Sequence, residues 1–66
     1  MTLTVNGNVL NSEARTLADF FTQKAIETRH IIVELNQEVL PKNADFSSIL
    51  LNEGDDITGL QVCGFG

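Results

Sequence analysis

One five-residue run, Ile31-Ile32-Val33-Glu34-Leu35, limits this chain's folding choices more than any other stretch. It is rich in β-branched side chains, which suit a pleated, half-buried strand. Alternation sends Ile31, Val33 and Leu35 to one face and Ile32 and Glu34 to the other. Asn36-Gln37 then makes a turn and Glu38-Val39-Leu40 a short return strand. Pro41 cannot donate to a ladder, so the return strand ends there or lies at an edge. A chain of only 66 residues buries roughly 60% of its unfolded surface, so every other segment must cover one face of a sheet built on this run.

The N-terminal segment supplies a second hairpin. Leu3 and Val5 alternate with Thr2 and Thr4, and Asn6-Gly7 follows, two residues that tolerate φ > 0. With Asn6-Gly7 as the loop, Val5 opposes Asn8, Thr4 opposes Val9 and Leu3 opposes Leu10, and the returning strand runs from Val9 to about Ala14. Leu3, Val5 and Leu10 then share a face and Val9 takes the other. Thr16 is an N-cap, with Asp19 in the place of the Glu of a capping box. Leu17, Phe20, Phe21 and Lys24 fall at helical spacing over two to three turns, and Lys24 suits the C-terminal end of the dipole. Such a short helix must be held by packing. Glu27–His30 is a polar connector. Residues 43–51 read ambiguously, with Asn43 able to cap one turn and Ile49-Leu50-Leu51 supplying apolar anchors. Asn52-Glu53-Gly54-Asp55 is a turn, and 56–62 a final strand with Ile57 on one face and Thr58, Leu60 and Val62 on the other. One helix among several strands predicts a two-layer α+β domain, a sheet with the helix packed on one face.

Composition narrows function. Nine acidic residues face four basic ones, a net charge of −5, which argues against nucleic acid and anionic membranes and favours a basic protein partner. One cysteine, Cys63, provides neither a disulfide framework nor a multi-cysteine zinc site and fits a reducing compartment. Residues 1–5 lack the features of a secretory signal, and no apolar run approaches membrane-spanning length; a cytoplasmic location is expected. His30 with Glu27 and Glu34 matches no metal-ligand spacing, and Asp55-Asp56 is better read as part of a turn than as a magnesium pair. Cys63 has no basic cluster near it in sequence to lower its pKa, and Gly7, Gly54 and Gly59 form no phosphate-binding pattern. The end, Gly64-Phe65-Gly66, reads as a frayed terminus or as a slim tail that can lie extended in a narrow channel.

The order and length resemble the ubiquitin-like β-grasp fold and, more narrowly, the sulfur carrier family of thiamine biosynthesis. Val5-Asn6-Gly7 matches that family's opening strand-turn, Thr16-Leu17 its helix start, Val33-Glu34-Leu35-Asn36-Gln37-Glu38-Val39-Leu40-Pro41 its V-E-L-N-x-E-x-L-P stretch, and Glu53-Gly54-Asp55 its acidic turn. The resemblance covers essentially the whole chain. It implies a mixed sheet of four to five strands with one main helix, a β-grasp domain over 1–63 and a flexible tail over 64–66. It implies no catalytic residue and no cofactor bound by the chain itself. The terminal carboxylate, here Gly66, is adenylated by a ubiquitin-activating-type adenylyltransferase using ATP and magnesium, converted to a thiocarboxylate by a sulfur donor protein, and delivers sulfur to thiazole synthase. The family ends in Gly-Gly, and Phe65 stands where the penultimate glycine belongs. The partner enzyme has a pocket for Phe65, or the carrier is an altered one, or the chain has kept the fold without sulfur transfer as a protein-interaction module. A molybdopterin-type carrier is the neighbouring family. In the implied strand order the last strand lies between the first and third, so Val9, Ile32, Leu60 and Val62 would form one exposed apolar patch leading to the tail, with Glu34, Asp55 and Asp56 adding charged contacts.

Overall fold

In the computed structural model, which describes residues 1–61, the first two strands are β1 (Thr2–Val5) and β2 (Asn8–Asn11), paired in the expected register with Leu3 opposite Leu10 and Thr4 opposite Val9. Asn6 and Gly7 take φ of 50° and 83°, the left-handed pair that matches strand twist in a two-residue hairpin. β2 stops at Asn11 rather than continuing toward Ala14. Met1 and Ser12 still exchange both backbone bonds, one pair beyond the strand, and the chain then turns away, the buried Ser12 hydroxyl accepting from Ala14 N–H.

Helix α1 (Leu17–Gln23) starts where the sequence says it should. Thr16 is extended, and its hydroxyl accepts from Asp19 N–H at 3.1 Å. The helix closes with Ala25 at φ 56°. Ala25 N–H donates to Thr22 C=O and Ile26 N–H to Phe21 C=O, the paired bonds of a Schellman stop. α1 buries Leu17, Phe20 and Phe21 against Leu3, Val33 and Ile57 of the sheet. Fully burying each such side chain contributes about 1.5–3 kcal/mol, which replaces the stability that two turns of isolated helix lack.

β3 (Ile31–Leu35) and β4 (Glu38–Val39) form the second hairpin around Asn36 and Gln37, both at positive φ. Leu40 lies outside β4, although its N–H still reaches Val33 C=O. The ambiguous stretch resolves as a 3₁₀ turn, Phe46–Ser48, and its cap is Asp45 rather than Asn43. Asp45 takes that role because its carboxylate accepts from both the backbone N–H and the hydroxyl of Ser47. Ile49–Leu51 then runs beside the start of α1, with Leu17 N–H donating to Ile49 C=O and Leu51 N–H to Arg15 C=O.

β5 (Asp56–Gln61) is the centre of the sheet, in the order β2-β1-β5-β3-β4. It runs parallel to β1 and antiparallel to β3. Two turn asparagines grip it. Asn6 donates its N–H to Ile57 C=O, and its side chain accepts from Gly59 N–H, both at 2.9 Å. Asn36 donates to Asp56 C=O at 2.7 Å, accepts from Asp56 N–H at 2.9 Å, and gives its amide to Asp55. This mixed five-stranded sheet with one helix on one face is a ubiquitin-like β-grasp.

Candidate functional site

The expected site has two parts, an apolar patch and a tail. Val62, Cys63, Gly64, Phe65 and Gly66 lie outside the described residues, so the patch is described from Val9, Ile32 and Leu60.

Pairing sets its shape. Ile32 sits directly opposite Leu60, on the sheet face away from α1, since Val33 and Ile57 take the helix side. Ile32 is 38% exposed and Leu60 51%. The neighbouring row on this face is Thr58, Glu34 and Val39, with Val39 also exposed. Val9 is exposed too, at 70%, but it belongs to another part of the face. It opposes Thr4, which lies beside Asp56, four residues from Leu60 along β5. At about 3.3 Å per residue and about 4.8 Å per strand, Val9 is roughly 16 Å from Leu60, with polar residues between. Alternation correctly assigns the face but says nothing of position along it, and the parallel register of β1 on β5 decides that. Val39, which pairs with Glu34, lies nearer to Ile32 than Val9 does.

The acidic residues also divide. Glu34 and Asp56 lie half-buried on the outer face. Asp55 does not face solvent: it is buried, its Oδ1 accepting from the Asn36 amide at 3.1 Å and its Oδ2 from Asn52 N–H at 2.8 Å. It therefore ties the β3–β4 turn to the β5 approach and is removed from the charged docking residues. Its sequence signal was the N-E-G-D turn, which specifies the local bond to Asn52 but not the distant Asn36. His30 is exposed, and the nearby Glu27 is engaged by Arg29 at 3.1 Å, which holds the Glu27 carboxyl below its usual range. Among the described residues no group of three or more His, Cys, Asp or Glu side chains is arranged to hold a metal, and no helix is long and apolar enough to cross a membrane.

β5 is thus the element that delivers the chain to residue 62, with an apolar pair on its outer side at its last turn of alternation. No family model and no curated protein sequence matches the chain. Among solved structures, a thiamine biosynthesis protein (ThiS) from Geobacter metallireducens matches it over 100% of both chains, with 31% identity and a TM-score of 0.79. The chain belongs to the ThiS family. The sheet of this ThiS-family domain leaves its central strand open on the outer face at Leu60, beside Ile32.

Proposed function

We propose that this ThiS-family chain is a sulfur carrier and that the Gly66 carboxylate is its reacting group. The observation that supports this reading best is the full-length match to the Geobacter metallireducens protein, together with the sequence motifs of the sulfur carrier family. A carboxylate is a poor electrophile. Attack of a Gly66 oxygen on the α-phosphorus of ATP, with magnesium, by a ubiquitin-activating-type adenylyltransferase releases pyrophosphate and leaves AMP as a good leaving group. Sulfur handed over by a donor protein at the sulfide level then forms the C–S bond with its own electron pair as AMP departs with the pair of the C–O bond, so no oxidant or reductant is needed. The resulting thiocarboxylate supplies sulfur to thiazole synthase during thiazole formation for thiamine.

In this reading the chain is a protein cosubstrate and not an enzyme, working in the cytoplasm and binding no cofactor of its own. Ile32 and Leu60 form its docking surface, and Gly64 keeps the tail slim. The test is intact mass after incubation with adenylyltransferase, ATP and a sulfur source. A gain equal to exchange of one oxygen for one sulfur, located on Gly66 by fragmentation, is expected. Absence of both adenylate and thiocarboxylate, even in Phe65→Gly, refutes it. Phe65 favours one second reading, a β-grasp interaction module that binds a protein through the same outer face without carrying sulfur. That reading predicts binding without any mass gain.

A further inference from the structure

β4 is only two residues long, and where it stops the edge of β3 is left open. Asn36 N–H bonds to Asp56 C=O, so alternation turns the backbone groups of Glu34 and Ile32 toward β5 and those of Leu35, Val33 and Ile31 toward β4. Leu40 N–H reaches Val33 C=O, but the reciprocal bond is not made: among the described residues the Val33 N–H has no acceptor. Pro41 comes next, has no N–H and takes the chain off the ladder. Val33 is buried, and a buried backbone donor without an acceptor costs free energy.

Beside this donor lies a cavity of about 290 Å³. Ile31, Leu40, Pro41 and Phe46 give it apolar walls, and Arg29 and Lys42 line it too. These two are half of the four basic residues on a chain of net charge −5. Lys42 is exposed and forms no ion pair among the described residues. Asp45, the carboxylate nearest to it in sequence, is turned onto Ser47. Arg29 holds Glu27 at 3.1 Å, but the two side chains are 79% and 61% exposed, and a pair so open to water exchanges readily for another carboxylate. Two cations, an unused N–H and apolar walls together specify a carboxylate on a short aliphatic stem. A second copy docking by the same patch would set cation against cation. Ile32 belongs both to the rim of the cavity and to the outer pair with Leu60, so the two surfaces are continuous.

We propose that this notch receives an aspartate or glutamate side chain of a protein partner, its carboxylate met by Lys42 and Arg29 and accepting from Val33 N–H. The chain as a whole then steers toward basic surfaces, while this one spot reads an acidic residue within them and fixes orientation. The proposal stands apart from the sulfur-transfer reading, because the isolated chain suffices to test it. Capped peptides of alternating valine and aspartate are titrated into the isotope-labelled full chain, with alternating valine and lysine as the control. Saturable amide shifts centred on Val33 and Lys42 are expected for the aspartate peptide only, the Val33 amide moving downfield and exchanging more slowly with solvent. Lys42→Glu turns attraction into repulsion and should weaken binding about threefold to tenfold. Lys24→Glu makes the same charge change at the end of α1 and should leave binding within about twofold. No saturable shift at Val33, equal binding of the lysine peptide, or equal losses in Lys24→Glu and Lys42→Glu would overturn the proposal. So would a Val33 shift that follows protein concentration without peptide, since a second copy would then fill the notch.

Discussion

Truncating Ile32 and Leu60 together to alanine tests whether the outer face is read at the paired position or by exposed area alone. Fully burying an aliphatic side chain is worth about 1.5–3 kcal/mol. Leu60 has 51% of its surface still to cover and Ile32 38%, so a partner that seals both gains about 1.5–2.5 kcal/mol, or 10- to 60-fold in Kd. Most of that should be lost in the double variant. By area alone Val9, 70% exposed, would rank first, at about 1–2 kcal/mol. Its register places it roughly 16 Å away across Thr4, Asp56 and Thr58, so Val9→Ala should change Kd by no more than about twofold. Titration calorimetry against the adenylyltransferase measures both, and thermal unfolding should show Val9→Ala within about 0.5 kcal/mol of wild type while Ile32→Ala and Leu60→Ala each lose about 1 kcal/mol, the worth of the part of each side chain that the fold already covers, with all three still cooperatively folded. A Val9→Ala loss equal to that of Leu60→Ala, or an unaltered Kd in the double variant, would refute the reasoning.

Ala25 sits at φ 56° and Gln37 at φ 71°, where an L-residue costs about 1–2 kcal/mol; after the extra unfolded-state entropy of glycine, Ala25→Gly and Gln37→Gly should each stabilise by about 0.5–1 kcal/mol, read as a higher urea midpoint at constant m. Gly54→Ala should do the opposite by at least as much, because its φ of 86° is strained for alanine although nothing lies within 4 Å of the added Cβ. Asn36→Gly keeps the turn's backbone but removes the side-chain bonds to Asp56 and Asp55, and chemical denaturation should show a loss of about 2–3 kcal/mol. Asp45 has its carboxyl lowered by the hydrogen bonds from Ser47. Its folded pKa lies below its unfolded one, so its contribution is complete above the ordinary aspartate range and fades as pH falls through the lowered value. The Ser47 amide resonance, followed through an acid titration, should move with that lowered midpoint, and Asp45→Asn should remove the transition.

The features legible in the sequence are those that local chemistry decides. Asn6-Gly7 fixes the first hairpin's register, Thr16 caps α1, and alternation assigns Ile31, Val33 and Ile57 to the core side. The central place of β5 came from family resemblance, since nothing local in Asp56–Gln61 names its neighbours. Other features depend on partners distant in sequence. Asp55 is buried because Asn36 reaches it across the sheet. Ala25 gave no sign of a left-handed stop, because glycine and asparagine are the residues that mark one; the Phe21–Ile26 spacing is its trace.

Because β5 is inserted between β1 and β3, the strand that joins the two halves of the sheet is synthesised after all the other described strands. Val5 pairs with Ile57 across more than three-quarters of the chain. A nascent chain therefore holds two separate hairpins and a short helix, and long-range pairing of this kind makes folding slow and late. Any product released before residue 56 lacks the strand that unites β1 with β3. Such fragments remain open to proteolysis instead of accumulating as folded domains.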